Sequence, residues 1–186
     1  MRFRRQRISV LFADIVGFTP MSAEMEPNEM VDQLNEVFSH FDALAVHHGC
    51  EKIRTIGDAY MVAAGVPTPT EDHAQAISAM ALEMLAYART TPLSFRLGIN
   101  SGPVVAGVVG TSKFQYDIWG DTVNTASRME SHGEPDRIQI TEATYQLIKD
   151  TFETTPRGHI EVKGKGSLPT WFLDGQREQT KQRTRS

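Results

Sequence analysis

The chain has 186 residues, enough for one ordinary domain to bury a core without disulfide bonds or a structural metal. Hydrophobic residues make up 40% of it, charged residues 23%, and the net charge is -4, which excludes a disordered chain and a protein that coats nucleic acid. The single cysteine, Cys50, excludes an internal disulfide and a Cys-x-x-Cys zinc site. A lone cysteine suits a reducing compartment, so we expect a cytoplasmic location.

The first half of the chain predicts a strand, a helix and a hairpin. Residues 8–16 are apolar and β-branched, as expected for a strand that is buried on both faces. Pro27 can open the following helix and Gly49 can close it, and apolar side chains recur between them at spacings of three and four. Gly57 and Asp58 are turn-forming residues between two β-like runs, which predicts a hairpin with Asp58 at its tip.

The second half continues with helices and strands. A methionine-rich apolar stripe predicts a helix that ends before Pro92, and two β-like runs follow, separated by the turn-forming residues 101–103. A shorter helix is predicted at about residues 121–131, then a strand, a helix, and short strands around Ile160 and Trp171. These elements predict an α/β fold of the α+β kind, a ferredoxin-like, mostly antiparallel sheet with helices packed on one face.

The termini are expected to lie outside this fold, which leaves one domain with a core at about residues 7–174. The basic residues 1–7 lack an apolar signal core, which predicts a solvated tail or the end of a linker from an upstream membrane or sensor segment. Residues 175–186 predict a polar, frayed tail. Every apolar stretch falls short of the ~20 residues of a membrane span, so we expect no membrane contact from this segment.

Two carboxylates stand where core packing does not explain them. Asp14 interrupts the end of an apolar strand, and Asp58 lies at the tip of the predicted hairpin. Each alone could cap a turn, but together they are typical of an oxygen-ligand site for Mg²⁺ or Mn²⁺, which keep positions for water and substrate phosphates. Gly17, Phe18 and Thr19 follow, and a strand that turns through glycine into a helix can offer backbone N–H groups to a phosphate.

Two further pairs of polar residues lie on the predicted helices. Asn124 and Arg128 are four residues apart and share a helix face, where they could hold a sugar and a phosphate, although solvated helix faces carry such pairs too. His47 and His48 precede Gly49 at a helix end. With no ligand partner at useful spacing, they are expected to favour the helix dipole rather than bind a metal.

Five ordered blocks make the chain resemble the class III adenylyl and guanylyl cyclase catalytic domains over about residues 7–174. The blocks are FADIVGFT at 12–19, KIRTIGDAYM at 52–61, RLGINSG at 96–102, YDIWGDTVNTASRME at 116–130 and VKGKG at 162–166. The resemblance implies a head-to-tail homodimer with composite active sites. One protomer would supply Asp14, Asp58 and the Ile15 carbonyl to two divalent cations, with Arg96 near the triphosphate. The other would supply the remaining groups: Lys52 and Asp117 to the base, Asn124 and Arg128 to the transition state, and Lys163 to the terminal phosphates.

The residue types assigned to the base favour ATP as substrate. Adenine has an acceptor at N1 and a donor amino group at position 6, which Lys52 and Asp117 complement, whereas guanine reverses this pattern. The expected products are therefore cyclic AMP and pyrophosphate. Two alternatives remain: a guanylyl cyclase, and a catalytically silent nucleotide-binding or dimerisation module. A diguanylate cyclase of the GGDEF kind is disfavoured because its signature turn is absent.

Overall fold

The computed structural model describes residues 4–178, whose strands form one eight-stranded sheet. The strand order is β2-β3-β1-β4-β6-β8-β7, and β5 pairs with the end of β4 outside this path. Every pairing is antiparallel except that between β4 and β6. The strands are β1 (Arg4–Ile15), β2 (Glu51–Ile56), β3 (Ala59–Ala64), β4 (Phe95–Val109), β5 (Gln115–Trp119), β6 (Arg137–Thr141), β7 (Phe152–Val162) and β8 (Gly166–Gln176).

The helices divide between the two faces of the sheet. Along β1, Leu11 and Ala13 pack with α2, α3 and α5, whereas Val10 and Phe12 pack with Ala126 of α4, because successive side chains of a strand point to opposite faces. The mostly antiparallel sheet with helices packed on it is confirmed, but the expectation of a single helical face is wrong for α4. The helices are α1 (Phe18–Glu24), α2 (Pro27–His47), α3 (His73–Ala88), α4 (Asp121–Ser131) and α5 (Glu142–Ile148).

The fourth helix lies directly on the backbone of β4. A Cβ atom at Gly98 would come within 2.0 Å of the Glu130 nitrogen, closer than any side-chain carbon can approach. Only glycine therefore permits this contact. The contact fixes α4, which carries Asn124 and Arg128, relative to the strand ends.

Two features of the strands differ from the predictions. β4 runs unbroken through residues 101–103, because between Ile99 and Val105 it has a paired neighbour on the β1 side only, and proline is tolerated at such edge positions. The hairpin of β7 and β8 has strands of 11 residues each instead of short ones.

The predicted tails differ from the structure as well. Residues 4–7 are not a solvated tail but the first part of β1, and β8 continues to Gln176. Residues 1–3 and 179–186 of the predicted tails lie outside the described part of the chain. Among residues 4–178, no helix combines the length and the apolar character needed to cross a membrane.

Candidate active site

Strand register brings three of the predicted site residues together. Asp14, near the end of β1, lies directly opposite Arg96 of β4. On its other side Asp14 pairs with Ala59, the residue after Asp58 in the turn between β2 and β3. The antiparallel pairing of three strands thus gathers side chains that are far apart in sequence.

The carboxylate of Asp14 lacks a compensating positive charge in close contact. Its Oδ1 atom is buried and has no hydrogen-bond partner among the described residues. Burial, a hydrogen bond with Asp58 and the charge of Glu130 raise the pKa of Asp14 to about 7, while Arg96, whose Nη2 is 3.9 Å away, acts in the opposite direction. Such an orphaned oxygen beside a second carboxylate fits a divalent cation, and Ile15, whose side chain is buried, could add its carbonyl.

Glu130 of α4 completes this group, which we call the acidic cluster (Asp14, Asp58, Arg96 and Glu130). Its Oε1 accepts a 3.3 Å hydrogen bond from Nε of Arg96, so the guanidinium lies between two carboxylates. Burial raises the pKa of Glu130, and Arg96 opposes that shift. The sequence analysis missed Glu130, although its position four residues after the buried Ala126 places it on the sheet side of α4.

The second group of predicted residues lines a cavity of about 440 Å³ between α4 and the turn from β7 to β8. Asn124 and Arg128 project from the exposed face of α4, and Lys163 lies in the turn opposite them. Lys165 of the same turn forms an ion pair with Asp121 at the start of α4. We call this space the helix–turn cavity, and its three predicted residues present amide, guanidinium and ammonium donors.

The acidic cluster and the helix–turn cavity lie on different sides of α4. Successive residues of a helix are rotated by about 100°, so two steps place Arg128 and Glu130 about 160° apart, on nearly opposite sides of α4. Glu130 is 7% exposed and faces the sheet and Arg96, whereas Arg128 and Asn124 are exposed to the cavity. Within one chain, the predicted transition-state residues therefore point away from the predicted metal ligands.

The two residues expected to read the base are bound to other partners. Nζ of Lys52 lies 3.0 Å from the carboxylate of Asp42 on α2. Asp117 on β5 accepts a 2.6 Å hydrogen bond from Nη1 of Arg54. An irregularity in the β2–β3 pairing between Lys52 and Arg54 changes which way the side chains point, because a bulge breaks strand alternation. Arg54, which the sequence analysis missed, is thus the cation beside Asp117.

The turn after β1 contains the segment that the sequence predicts to bind phosphate. Gly17 has a φ of 68°, in the left-handed region, and directly precedes α1. The first N–H groups of a helix have no acceptor within it, so those of Phe18 and Thr19 face outward from the start of α1. This places them in the chain segment that follows Asp14 and Ile15.

Carboxylates near strand ends, a glycine turn before a helix, and an amide and a guanidinium exposed on another helix suit a nucleotide-processing domain. The chain belongs to the family described as the adenylate and guanylate cyclase catalytic domain, which it matches over residues 2–175. The fold and the family together identify it as a cyclase domain of class III.

Relatives of both specificities are similar to this chain. An adenylate cyclase of Mycobacterium tuberculosis is 49% identical over 175 residues, which cover 91% of this chain and 40% of that protein. The soluble guanylate cyclase subunit beta-2 of Rattus norvegicus is 47% identical over 173 residues, covering 89% of this chain and 25% of that protein. The chain thus spans less than half the length of these relatives.

A solved structure shows the same fold. The guanylate cyclase domain of RhGC from Catenaria anguillulae, in complex with GTP, is 38% identical to this chain. The two superpose with a TM-score of 0.90, over 94% of this chain and 100% of that one.

Proposed function

We propose that this domain is an adenylyl cyclase that converts ATP to 3′,5′-cyclic AMP and pyrophosphate in the cytoplasm, at composite sites in a head-to-tail homodimer. The observation that carries the composite site is the geometry of α4, on which Arg128 and Glu130 project about 160° apart. A chain with both half-sites facing different ways can complete them only against a second copy. A two-fold axis then yields two sites per dimer.

An exposed apolar arm supports association between two copies. The β4–β5 hairpin extends past the rest of the sheet and exposes several large apolar side chains, among them Phe114 at 77%. Several large apolar side chains exposed on one hairpin are typical of an interaction surface. Asp117 lies on the same arm, so an interface formed there would adjoin the proposed base-binding region. The exposed residues are Val105, Val108, Val109, Phe114 and Trp119.

The acidic cluster would hold the cofactor ions. Asp14, Asp58 and the Ile15 carbonyl would bind two divalent cations, Mg²⁺ or Mn²⁺, which acidify the ribose 3′-hydroxyl and neutralise the triphosphate. Arg96, held between two carboxylates, would adjoin the phosphates. The N–H groups at Gly17, Phe18 and Thr19 would donate hydrogen bonds to phosphate oxygens at the start of α1.

The partner's helix–turn cavity would supply the transition-state groups. In the reaction a bond forms between the 3′-oxygen and the α-phosphorus, the bond from that phosphorus to the bridging oxygen breaks, and pyrophosphate leaves as the hydroxyl loses its proton. Arg128 would stabilise charge on the α-phosphoryl oxygens, Asn124 would orient the ribose, and Lys163 would bind the terminal phosphates.

Base recognition is proposed to rest on Asp117 and Arg54, a change from the sequence-based assignment of Lys52. Asp117 can accept from the 6-amino group of adenine while an adjacent cation donates to N1. We take that cation to be Arg54, because its Nη1 lies 2.6 Å from Asp117, whereas Lys52 is hydrogen-bonded to Asp42 on α2. Lys52 would then act by supporting β2.

Two matched variants test whether Arg54 or Lys52 recognises the base. Arg54→Ala should lower kcat/KM for ATP by about tenfold to a hundredfold, as expected for loss of a charge-assisted hydrogen bond, and should narrow the preference for ATP over GTP. Lys52→Ala should leave that preference unchanged. Selectivity ratios from both nucleotides in one assay give the measurement, and a loss of preference with Lys52→Ala alone would restore the original assignment.

A second candidate activity is guanylyl cyclase, which the 47% identity to a guanylate cyclase subunit favours. Assays with ATP and, separately, GTP at excess Mn²⁺, across a range of protein concentrations, distinguish the two. Cyclic AMP formation whose specific activity rises with protein concentration supports the proposal. Cyclic GMP as the sole product favours the second candidate, and no cyclic product at any concentration indicates a silent module.

A further inference from the structure

Three metal-ligating side chains meet on the side of the molecule formed by α2 and α3. His47 ends α2, His48 caps it, and Glu83 projects from the middle of α3. One ligand atom from each of the three lies within 4.8 Å of the other two. We propose that His47, His48 and Glu83 bind a transition-metal dication, with Zn²⁺ the best-suited ion.

The ligand atoms of the three side chains already lie near one another. Nε2 of His48 is 3.1 Å from Oε1 of Glu83, yet that nitrogen is buried and makes no aligned hydrogen bond among the described residues. The ring of His47 stands at 87° to that of His48, with centroids 5.0 Å apart. Ligands at about 2.0–2.2 Å from zinc are roughly 3.5 Å from one another, so small side-chain rotations would complete the site.

The nitrogen ligands of this site favour a different ion from the one that the acidic cluster favours. Imidazole nitrogens suit Zn²⁺, Cu²⁺ and Ni²⁺, whereas Mg²⁺ prefers oxygen ligands. His47 and Glu83 are exposed, so solvent can reach the ion and supply a fourth ligand. The negative end of the α2 dipole also favours a cation here. Sequence spacing could not show the site because Glu83 comes from another helix.

A bound ion would connect two helices that cover the same face of the sheet. His47 and His48 immediately precede the turn through Gly49 into β2, the strand that carries Arg54. Tying the end of α2 to α3 would therefore fix the chain where it enters β2. The expected physical effect is a more stable domain when the metal is present, because the ion binds the folded arrangement only.

Calorimetric titration of the whole chain with ZnCl₂ tests the site; excess Mg²⁺ is included to compete for the oxygen ligands that we propose for the acidic cluster. Wild type should bind one Zn²⁺ per chain. Each of the variants His47→Ala, His48→Ala and Glu83→Gln should weaken Zn²⁺ binding by at least about tenfold. Loss of a hydrogen-bond partner of a metal ligand already weakens metal binding by that factor, and loss of the ligand itself should weaken it at least as much. His159→Ala, at an exposed position on β7, is the matched control and should bind as wild type does.

Thermal unfolding gives the second readout. Zn²⁺ should raise the unfolding midpoint of wild type and of His159→Ala but not of the ligand variants, whose midpoints in EDTA show that they fold. Glu83→Gln is nearly isosteric, so it tests the ligand rather than the packing. Equal Zn²⁺ binding by wild type and all three variants, or no binding by wild type at millimolar Zn²⁺, would overturn the proposal.

Discussion

The acidic cluster and the helix–turn cavity differ in how the chain builds them. The cluster comes from strand register, with Asp14 paired opposite Arg96 and its members partly or fully buried. The cavity comes from exposed side chains of one helix and one turn. The first half is therefore preorganised by backbone pairing within a chain, while the second half is an open surface that we propose is completed by a partner.

The largest expected effect is on kcat, and Mn²⁺ affinity distinguishes variants of the helix–turn cavity from variants of the acidic cluster. Arg128→Ala should lower kcat by ~10²–10³ because it removes a donor to the transition state, and it should leave Mn²⁺ affinity unchanged. Asp58→Asn should lower kcat at least as far and should also weaken Mn²⁺ binding. Steady-state kinetics and Mn²⁺ titration by electron paramagnetic resonance give both quantities.

Lys149→Ala, at the end of α5, is the control and should change neither quantity, because the Lys149 ammonium donates to Gln146 of the same helix. Weakened Mn²⁺ binding in Arg128→Ala would contradict the division of labour between the halves.

The next largest effect tests the close contact between α4 and β4. Gly98→Ala places a methyl group 2.0 Å from the Glu130 nitrogen, so α4 must move away from β4. We expect the free energy of unfolding to fall by about 3 kcal/mol, as for an overpacked core, and activity to fall with it. Urea denaturation measures the change.

Gly175→Ala is the matched control, because a Cβ there has its nearest neighbour at 3.9 Å. Equal stability of the two variants would show that the contact between α4 and β4 is not tight.

The smallest effect concerns the buried polar network beneath α4. His73 bonds to Ser9 at 2.8 Å, and a chain of hydroxyl groups leads from Ser9 to Asn100, which donates to the Thr122 carbonyl on α4. Burial is the main cause that lowers the pKa of His73 in the folded protein. The folded state therefore holds this imidazole neutral.

The neutral state of His73 in the folded protein makes stability depend on pH. The contribution of His73 to stability is complete above its unfolded pKa of 6.5 and is lost as pH falls through the lower folded pKa. His73→Gln should flatten the fall in unfolding free energy below pH 6.5 by up to about 1.4 kcal/mol per pH unit. Asp14 titrates in both proteins, so its contribution cancels in the difference. Parallel pH profiles would contradict a buried, neutral His73.

Residues whose type conflicts with their local pattern could be predicted from the sequence. Asp14 in an apolar strand and Asp58 at a hairpin tip were located correctly, and the helix at residues 121–131 appears as α4 with the same bounds. Each of these depends on local spacing or turn chemistry alone.

Residues placed by tertiary pairing could not be predicted. The change of side-chain direction between Lys52 and Arg54 depends on a bulge, and strand alternation gives no sign of it. Glu130 gains its role only because Gly98 lets α4 approach β4. The prediction of the sheet face that α4 covers was also wrong, because amphipathicity shows that a helix packs on a sheet but not on which side.

The composite site is tested most directly by mixing two inactive proteins. Asp14→Ala and Arg128→Ala should each be nearly inactive alone, because each spoils both sites of its own homodimer. After subunit exchange, a heterodimer has one intact site, so an equal mixture should recover about a quarter of wild-type activity. Exchange is verified by native mass spectrometry. No recovery in a mixture that contains heterodimers would contradict the composite active site.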